Sequence, residues 1–229
     1  MGECHRMKCC LCAKVSRYER MLSTSGWLII SALLTSVSGK ESRSFFLHEF
    51  GYTACSMAKI YEIDGAVVRT HVGPDTPYPS YPTTCDLQFE TRTNRKRFMI
   101  RFDLLDINDC DDVLTVWNGY IAAQRVLATI SCENKTSDVL YTSSSHLGLS
   151  FTTNSGGAEG KGFEAVITAF DDGVNDPKKC FYGDFHCDNG KCIDAKLNCD
   201  LINHCEDWSD ERGNADCAHQ EVNLCNVTD

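Results

Sequence analysis

Six cysteines from Cys180 to Cys217 constrain this chain more than any other feature, with six, four, six, five and eleven residues between successive members. Phe185 and Ile193 are the only evident apolar core among them. A segment of about 40 residues cannot bury enough apolar surface to offset the entropy of ordering it, so disulfides or a metal must hold it. Asp200 follows Cys199, and Ser209, Asp210 and Glu211 close the stretch with an acidic run. Carboxylates are the hard oxygen ligands that Ca2+ takes. Spacing alone leaves the cysteine connectivity open.

Phe-x-Cys at 185–187, Cys-Ile at 192–193, Cys-Asp at 199–200 and Ser-Asp-Glu at 209–211 together resemble an LDL-receptor class A module. The resemblance implies pairing of Cys180 with Cys192, Cys187 with Cys205 and Cys199 with Cys217. It also implies one Ca2+ held by Asp200, Asp210, Glu211 and the backbone carbonyls of Leu197 and Ile202, with His204 where a fourth acid belongs. Neutral imidazole is a poor ligand for a hard cation and imidazolium repels it, so a weakened site is expected. The histidine brings a charge that changes near neutral pH; the simpler expectation is a surface histidine without a switching role. Leu197, Leu201 and His204 stand where the family has an aromatic residue, a glycine or acid, and an acid, which disfavours capture of ligand lysines. Trp208 takes a turn position usually held by glycine, either as an exposed partner anchor or as cover for a disulfide.

Fifteen cysteines do not suit a reduced compartment, so the 229-residue chain is expected to be secreted and extracellular. Its net charge of -10 argues against nucleic acid as a partner. Residues 1–39 read as a signal peptide: a basic stretch, an apolar run at 26–37, then Ser36, Ser38 and Gly39. Met21 is an alternative start, and an uncleaved signal anchor is the rival reading. The apolar run is shorter than the about 20 residues a spanning helix needs, so no membrane span is expected in the chain. With Cys4, Cys9, Cys10 and Cys12 removed, eleven cysteines remain and Cys225 is left without a partner. A disulfide-linked dimer, a link to another protein or a small-thiol cap would satisfy it. Residues 40–54 read as an N-terminal lead, 171–179 as a polar linker and 218–229 as a tail. Asn134 and Asn226 begin N-glycosylation sequons.

Residues 55–170 alternate apolar and polar positions in short runs bounded by turn residues, an all-β pattern. Leu147, Leu149 and Phe151 mark one face, Phe98, Ile100 and Phe102 a second, and Phe163, Ala165, Ile167 and Ala169 a third. Two packed sheets cover such faces. Four cysteines, the Tyr-Pro-Ser-Tyr-Pro run at 78–82, the segment 112–119 and the ending Gly162, Phe163, Glu164, Ala165 resemble a CUB domain. That resemblance implies a two-sheet antiparallel β-sandwich, bridges Cys55–Cys85 and Cys110–Cys132, and a second, weak Ca2+ site. Asp112 fits that site, with Asn108 or Asp109 replacing a glutamate and Asn154 replacing an aspartate. Arg92, Arg95, Lys96, Arg97 and Arg101 form the one basic cluster. It is either a solvated turn or a patch for an acidic partner.

No nucleophile motif, zinc helix or phosphate loop is present, so no catalytic residues are assigned and an enzyme is not expected. One CUB domain followed by one class A module resembles the extracellular region of neuropilin and tolloid-like auxiliary proteins. The resemblance implies a protein-binding adaptor, auxiliary to an extracellular or membrane receptor, with Trp208, Arg95, Lys96 and Arg97 as candidate contacts. Two other roles remain open: the non-catalytic arm of a secreted protease, and a spermadhesin-like binder of glycans or glycosaminoglycans.

Overall fold

The structure, a computed structural model, describes residues 42–48, 55, 58–73, 76–79, 82–136, 138–155, 160–172, 180–212 and 217. The signal peptide, the linker beyond Asp172 and the tail 218–229, with Cys225 and Asn226, lie outside these residues.

In chain order the strands are β1 (Arg43–His48), β2 (Ile60–Glu62), β3 (Gly65–His71), β4 (Thr83–Glu90), β5 (Arg97–Asp106) and β6 (Val113–Trp117). They continue with β7 (Val126–Ile130), β8 (Leu140–Tyr141), β9 (His146–Thr153), β10 (Gly162–Asp171), β11 (Asp184–His186) and β12 (Cys192–Asp194). One sheet of the sandwich holds β1, β3, β10, β5 and β8; the other runs β2-β4-β9-β6-β7. Period two places Phe98 and Ile100 of β5, Leu147, Leu149 and Phe151 of β9, and Phe163, Ala165, Ile167 and Ala169 of β10 in one shared core. The three faces read from the sequence therefore meet, with Phe102 partly buried at their edge.

The sheets are not purely antiparallel. β1 pairs with β3 and β2 with β4 in parallel. The reason is the chain path: β2 lies in the sheet opposite β1 and β3, and β3 in the sheet opposite β2 and β4, so each return comes through the facing sheet instead of a hairpin. The sandwich also begins earlier than residue 55. Phe45 and Leu47 of β1 lie in the core, where Phe45 meets Phe89 edge-on at 5.3 Å. Cys55–Cys85 and Cys110–Cys132 tie the sandwich, and Cys180–Cys192, Cys187–Cys205 and Cys199–Cys217 the cysteine-rich module. These are the pairs that the resemblances imply.

Strand β10 organises the whole. Its inner face supplies the sandwich core; on its outer face Thr168 and Phe170 turn the other way, as does Met99 of β5. The register Thr168↔Met99 and Phe170↔Arg97 sets those residues side by side. Past the end of its ladder with β3, β10 pairs with β12, Phe170 against Ile193 and Asp171 against Cys192. One sheet thus passes from the sandwich into the module. A second core joins the two there: Met99 and Phe170 with Cys187, Ile193, Leu197 and Cys205, with Val139 and Phe185 packed on it. Gly65 permits the approach, since a Cβ there would lie 2.6 Å from Leu197 Cδ2 and 3.0 Å from His204 Cε1.

Candidate functional site at the module seam

Asp200 lies between two short 3-10 turns, Ala195–Leu197 and Ser209–Glu211, and Asp210 and Glu211 lie in the second of them. His204 is wholly buried, not on the surface as expected, and it faces the sandwich. Its Nδ1 lies 2.7 Å from Thr168 Oγ1, and its Nε2 lies 2.8 Å from Ser42 Oγ and 3.3 Å from Asp200 Oδ2. Ser42 donates its hydroxyl hydrogen to Asp200 Oδ2 at 2.7 Å. Ser42 Oγ, already donating to Asp200, can only accept from Nε2, and Thr168 Oγ1 lies within hydrogen-bond reach of Nδ1, so both ring nitrogens have a partner.

The other acids are also engaged. Asp200 Oδ1 accepts the Ile202 N–H at 3.0 Å. Glu211 accepts the Asp200 N–H at 3.0 Å through Oε1 and the Leu201 N–H at 2.9 Å through Oε2. Asp210 Oδ2 accepts the His204 N–H at 2.6 Å, while Oδ1 is buried without a hydrogen-bond partner. Burial raises the carboxyl pKa of Asp210 and of Glu211, partly offset by the backbone N–H groups that face them. Ca2+ takes six to eight converging oxygens. Here one buried oxygen, Asp210 Oδ1, is open, and among the described residues no three His, Cys, Asp or Glu side chains converge on a metal position. The residues present do not fit a class A calcium cage.

The second proposed site is likewise occupied by the chain itself. Asp112, buried, accepts the Tyr78 hydroxyl on Oδ2 and the Asn154 N–H at 2.9 Å on Oδ1. Asn108 Oδ1 is 3.4 Å from Lys135 Nζ, and Asp109 Oδ1 accepts the Asp111 N–H at 3.0 Å. Asp112 and Asn154 are thus brought together, whereas the side chains of Asn108 and Asp109 have other partners. Asp112 reads as a loop clasp.

Tyr78 and Tyr141 carry the consequence for pH. Burial, then the Asp112 hydrogen bond, pushes the Tyr78 phenol well above its usual range. Burial and the Glu206 hydrogen bond push Tyr141 up to about 12. An unfolded tyrosine ionises near pH ~10. A phenol held neutral by the fold contributes stability that is complete below that pH and is lost as pH rises above it. Alkaline titration of tyrosine absorbance should show these two of the eight tyrosines ionising late, Tyr78 only together with unfolding.

Each cation of the basic cluster is ion-paired with an acid of the same chain. Arg92 lies 3.0 Å from Asp64, Arg95 2.9 Å from Asp171, Lys96 2.7 Å from Asp184, Arg97 2.6 Å from Asp172 and Arg101 2.7 Å from Asp103. Arg101 also donates to the Asn203 carbonyl of the module. Lys96 and Asp184 are each 8% exposed, so Lys96 is a clamp across the seam and cannot be the partner contact expected of it. Sequence gave no sign of this, because Asp171, Asp172 and Asp184 lie far along the chain. Beside the clamp an open groove of about 540 Å³ is walled by Phe181 and Tyr182, with Asp64, Asp194 and Lys196 on its lining. Burial and the charge of Asp194 raise the Asp64 pKa. Cations and acids are mixed along the groove, so it selects no single charge.

Trp208 is 44% exposed and Leu201 77% exposed. Both sit in the left-handed region, at φ 65° and 70°, where glycine is favoured. Asn134 is exposed, with Nδ2 donating to the Thr129 carbonyl at 2.6 Å. No helix among the described residues is long and apolar enough to cross a membrane.

The family model for low-density lipoprotein receptor domain class A matches residues 178–218. Among solved structures, the chain is similar to the CUB1-EGF-CUB2 domains of rat MASP-1, at 16% identity over 58% of each chain and a TM-score of 0.40. It is also similar to the full extracellular region of zebrafish Gpr126/Adgrg6, at 13% identity over 48% of this chain and 14% of that one, with a TM-score of 0.41. A third is the MASP-1 CUB2 domain bound to Ca2+, at 16% identity over 48% of this chain and 96% of that one, with a TM-score of 0.36. The chain spans 58% of the rat structure's length. The family model thus places residues 178–218 in the low-density lipoprotein receptor class A family, and the described part of that segment joins a two-sheet β-sandwich through β10 and β12.

Proposed function

We propose that this protein is a non-catalytic, secreted or cell-surface adaptor that recognises an extracellular or membrane receptor protein through the class A loop bearing Leu201 and Trp208. Modules of this type serve protein interaction outside the cell, and five disulfides suit an oxidising compartment. One observation carries the reading. Two large apolar side chains stand exposed at left-handed positions where glycine would cost about 1 kcal/mol less, so the backbone conformation does not account for their presence. Tryptophan at such a place is the composition of an interface anchor. The glycan alternative loses support because Arg95, Lys96 and Arg97 are each ion-paired within the chain. A covalent dimer through Cys225 belongs to the same proposal and is read on a non-reducing gel.

Tagged full chain and its Trp208→Gly and Leu201→Gly variants, added to live cells and crosslinked, test the reading by mass spectrometry. The expected result is one receptor recovered with the wild type and lost by tenfold or more with either variant, while both variants melt at or above the wild-type temperature. Unchanged recovery by both variants would overturn the assignment of this loop. Binding that disappears only on heparan sulfate digestion would replace the adaptor with a glycan binder.

A further inference from the structure

We propose that the CUB-like sandwich takes the place of the calcium ion in this class A domain, with His204 as the residue that exchanges one for the other. The ordinary role of the ion would be to fix the loop 197–211, whose backbone cannot be held by so small a core. In this chain that loop is fixed by bonds that end on the sandwich. His204 joins Thr168 of β10 and Ser42 ahead of β1; Asp200 joins Ser42; Arg101 of β5 reaches the Asn203 carbonyl. Leu197, whose carbonyl the resemblance assigns to calcium, is 5% exposed and packs in the shared core with Met99 and Phe170.

The exchange is chemically coherent. An acid at 204 would face Ser42, Thr168 and the Asp200 carboxylate, and without a cation two buried carboxylates would stand together uncompensated. An imidazole at 204 adds no second carboxylate, and its two nitrogens match a serine oxygen already donating to Asp200 and a threonine hydroxyl. The remaining acids then satisfy N–H groups of the same loop: Glu211 caps Asp200 and Leu201, and Asp210 caps His204. The domain and the sandwich accordingly act as one calcium-independent body, and the loop bearing Leu201 and Trp208 is ordered by docking.

Hydrogen exchange of the class A amides in the full chain, in millimolar Ca2+ and in chelator, tests this with site resolution, so that an ion elsewhere in the chain does not confuse the result. Protection in residues 197–211 should be the same in both conditions. Thr168→Val, which leaves every carboxylate in place, should lower that protection roughly five- to tenfold with or without Ca2+. His204→Asp should make protection calcium-dependent, restored by the ion and lost in chelator. Loss of wild-type protection on chelation would overturn the proposal. So would full protection in Thr168→Val, or a folded His204→Asp chain indifferent to calcium.

Discussion

Replacing Lys96 with methionine is expected to lower the free energy of unfolding by about 3–5 kcal/mol, the cost of leaving one partner of a buried ion pair without the other. Lys96 Nζ and Asp184 Oδ1 lie 2.7 Å apart with each side chain 8% exposed, and Asp184 Oδ2 is already buried without a hydrogen-bond partner. The ammonium is thus the main compensation for that carboxylate. The surface pairs around it differ. Arg95–Asp171 and Arg97–Asp172 are far more exposed, and truncating either arginine should cost only about 0–1 kcal/mol. A double variant, Lys96→Met with Asp184→Leu, separates charge from packing. Because replacing a buried pair by apolar groups is often neutral, the double variant should recover most of the loss in urea unfolding. If the double variant is as unstable as the single one, the cost lies in packing at the seam.

Much of the fold was legible because it depends on local pattern. Alternation along β5, β9 and β10 needs no partner to be read, and the apolar residues it selected are those of the core. The spacing of Cys180 to Cys217 carries the class A fold for the same reason. What remained hidden depends on long-range placement. The outer face of β10 alternates polar and apolar, Thr168 then Phe170, which reads as a half-solvated strand until Ile193 and Leu197 are laid against it. Residues 43–48 have two apolar positions in the core, but their parallel partner β3 lies beyond a strand of the opposite sheet, so no hairpin signal marks them.

The candidate site divides in the same way. Asp200, Asp210 and Glu211 were found by type and spacing, yet spacing cannot say where a carboxylate points. His204 was singled out as a departure from the family pattern, and that was the available clue to the seam. Its meaning required Ser42 and Thr168, which are 162 and 36 residues away in sequence. In the arginine and lysine cluster, charge was counted without its partners; the acids that pair with Arg95, Lys96 and Arg97 come from β10, β11 and the residue following β10.

Phe170→Ala is the strongest test that the sandwich and class A domain are one body. Phe170 is fully buried near the end of β10, paired with Arg97 on one side and Ile193 on the other. Its ring meets Tyr141 edge-on at 5.7 Å, and the Arg97 guanidinium lies 4.7 Å from its centroid. Truncation removes the largest side chain of the shared core, and a buried Phe→Ala change costs about 3–5 kcal/mol. The distribution of the loss matters more than its size. If the seam couples the two parts, hydrogen-exchange protection of β12 and of residues 197–211 should fall, while β4 and β9 of the far sheet keep theirs under native conditions. The three class A disulfides remain in either case, so the cysteine-rich domain would stay compact but lose its fixed place on β10. Uniform loss across both sheets would instead make Phe170 an ordinary core residue of the sandwich. In the coupled case a variant far from Leu201 and Trp208 should weaken receptor capture as much as changing them does, because the body that presents them has been loosened.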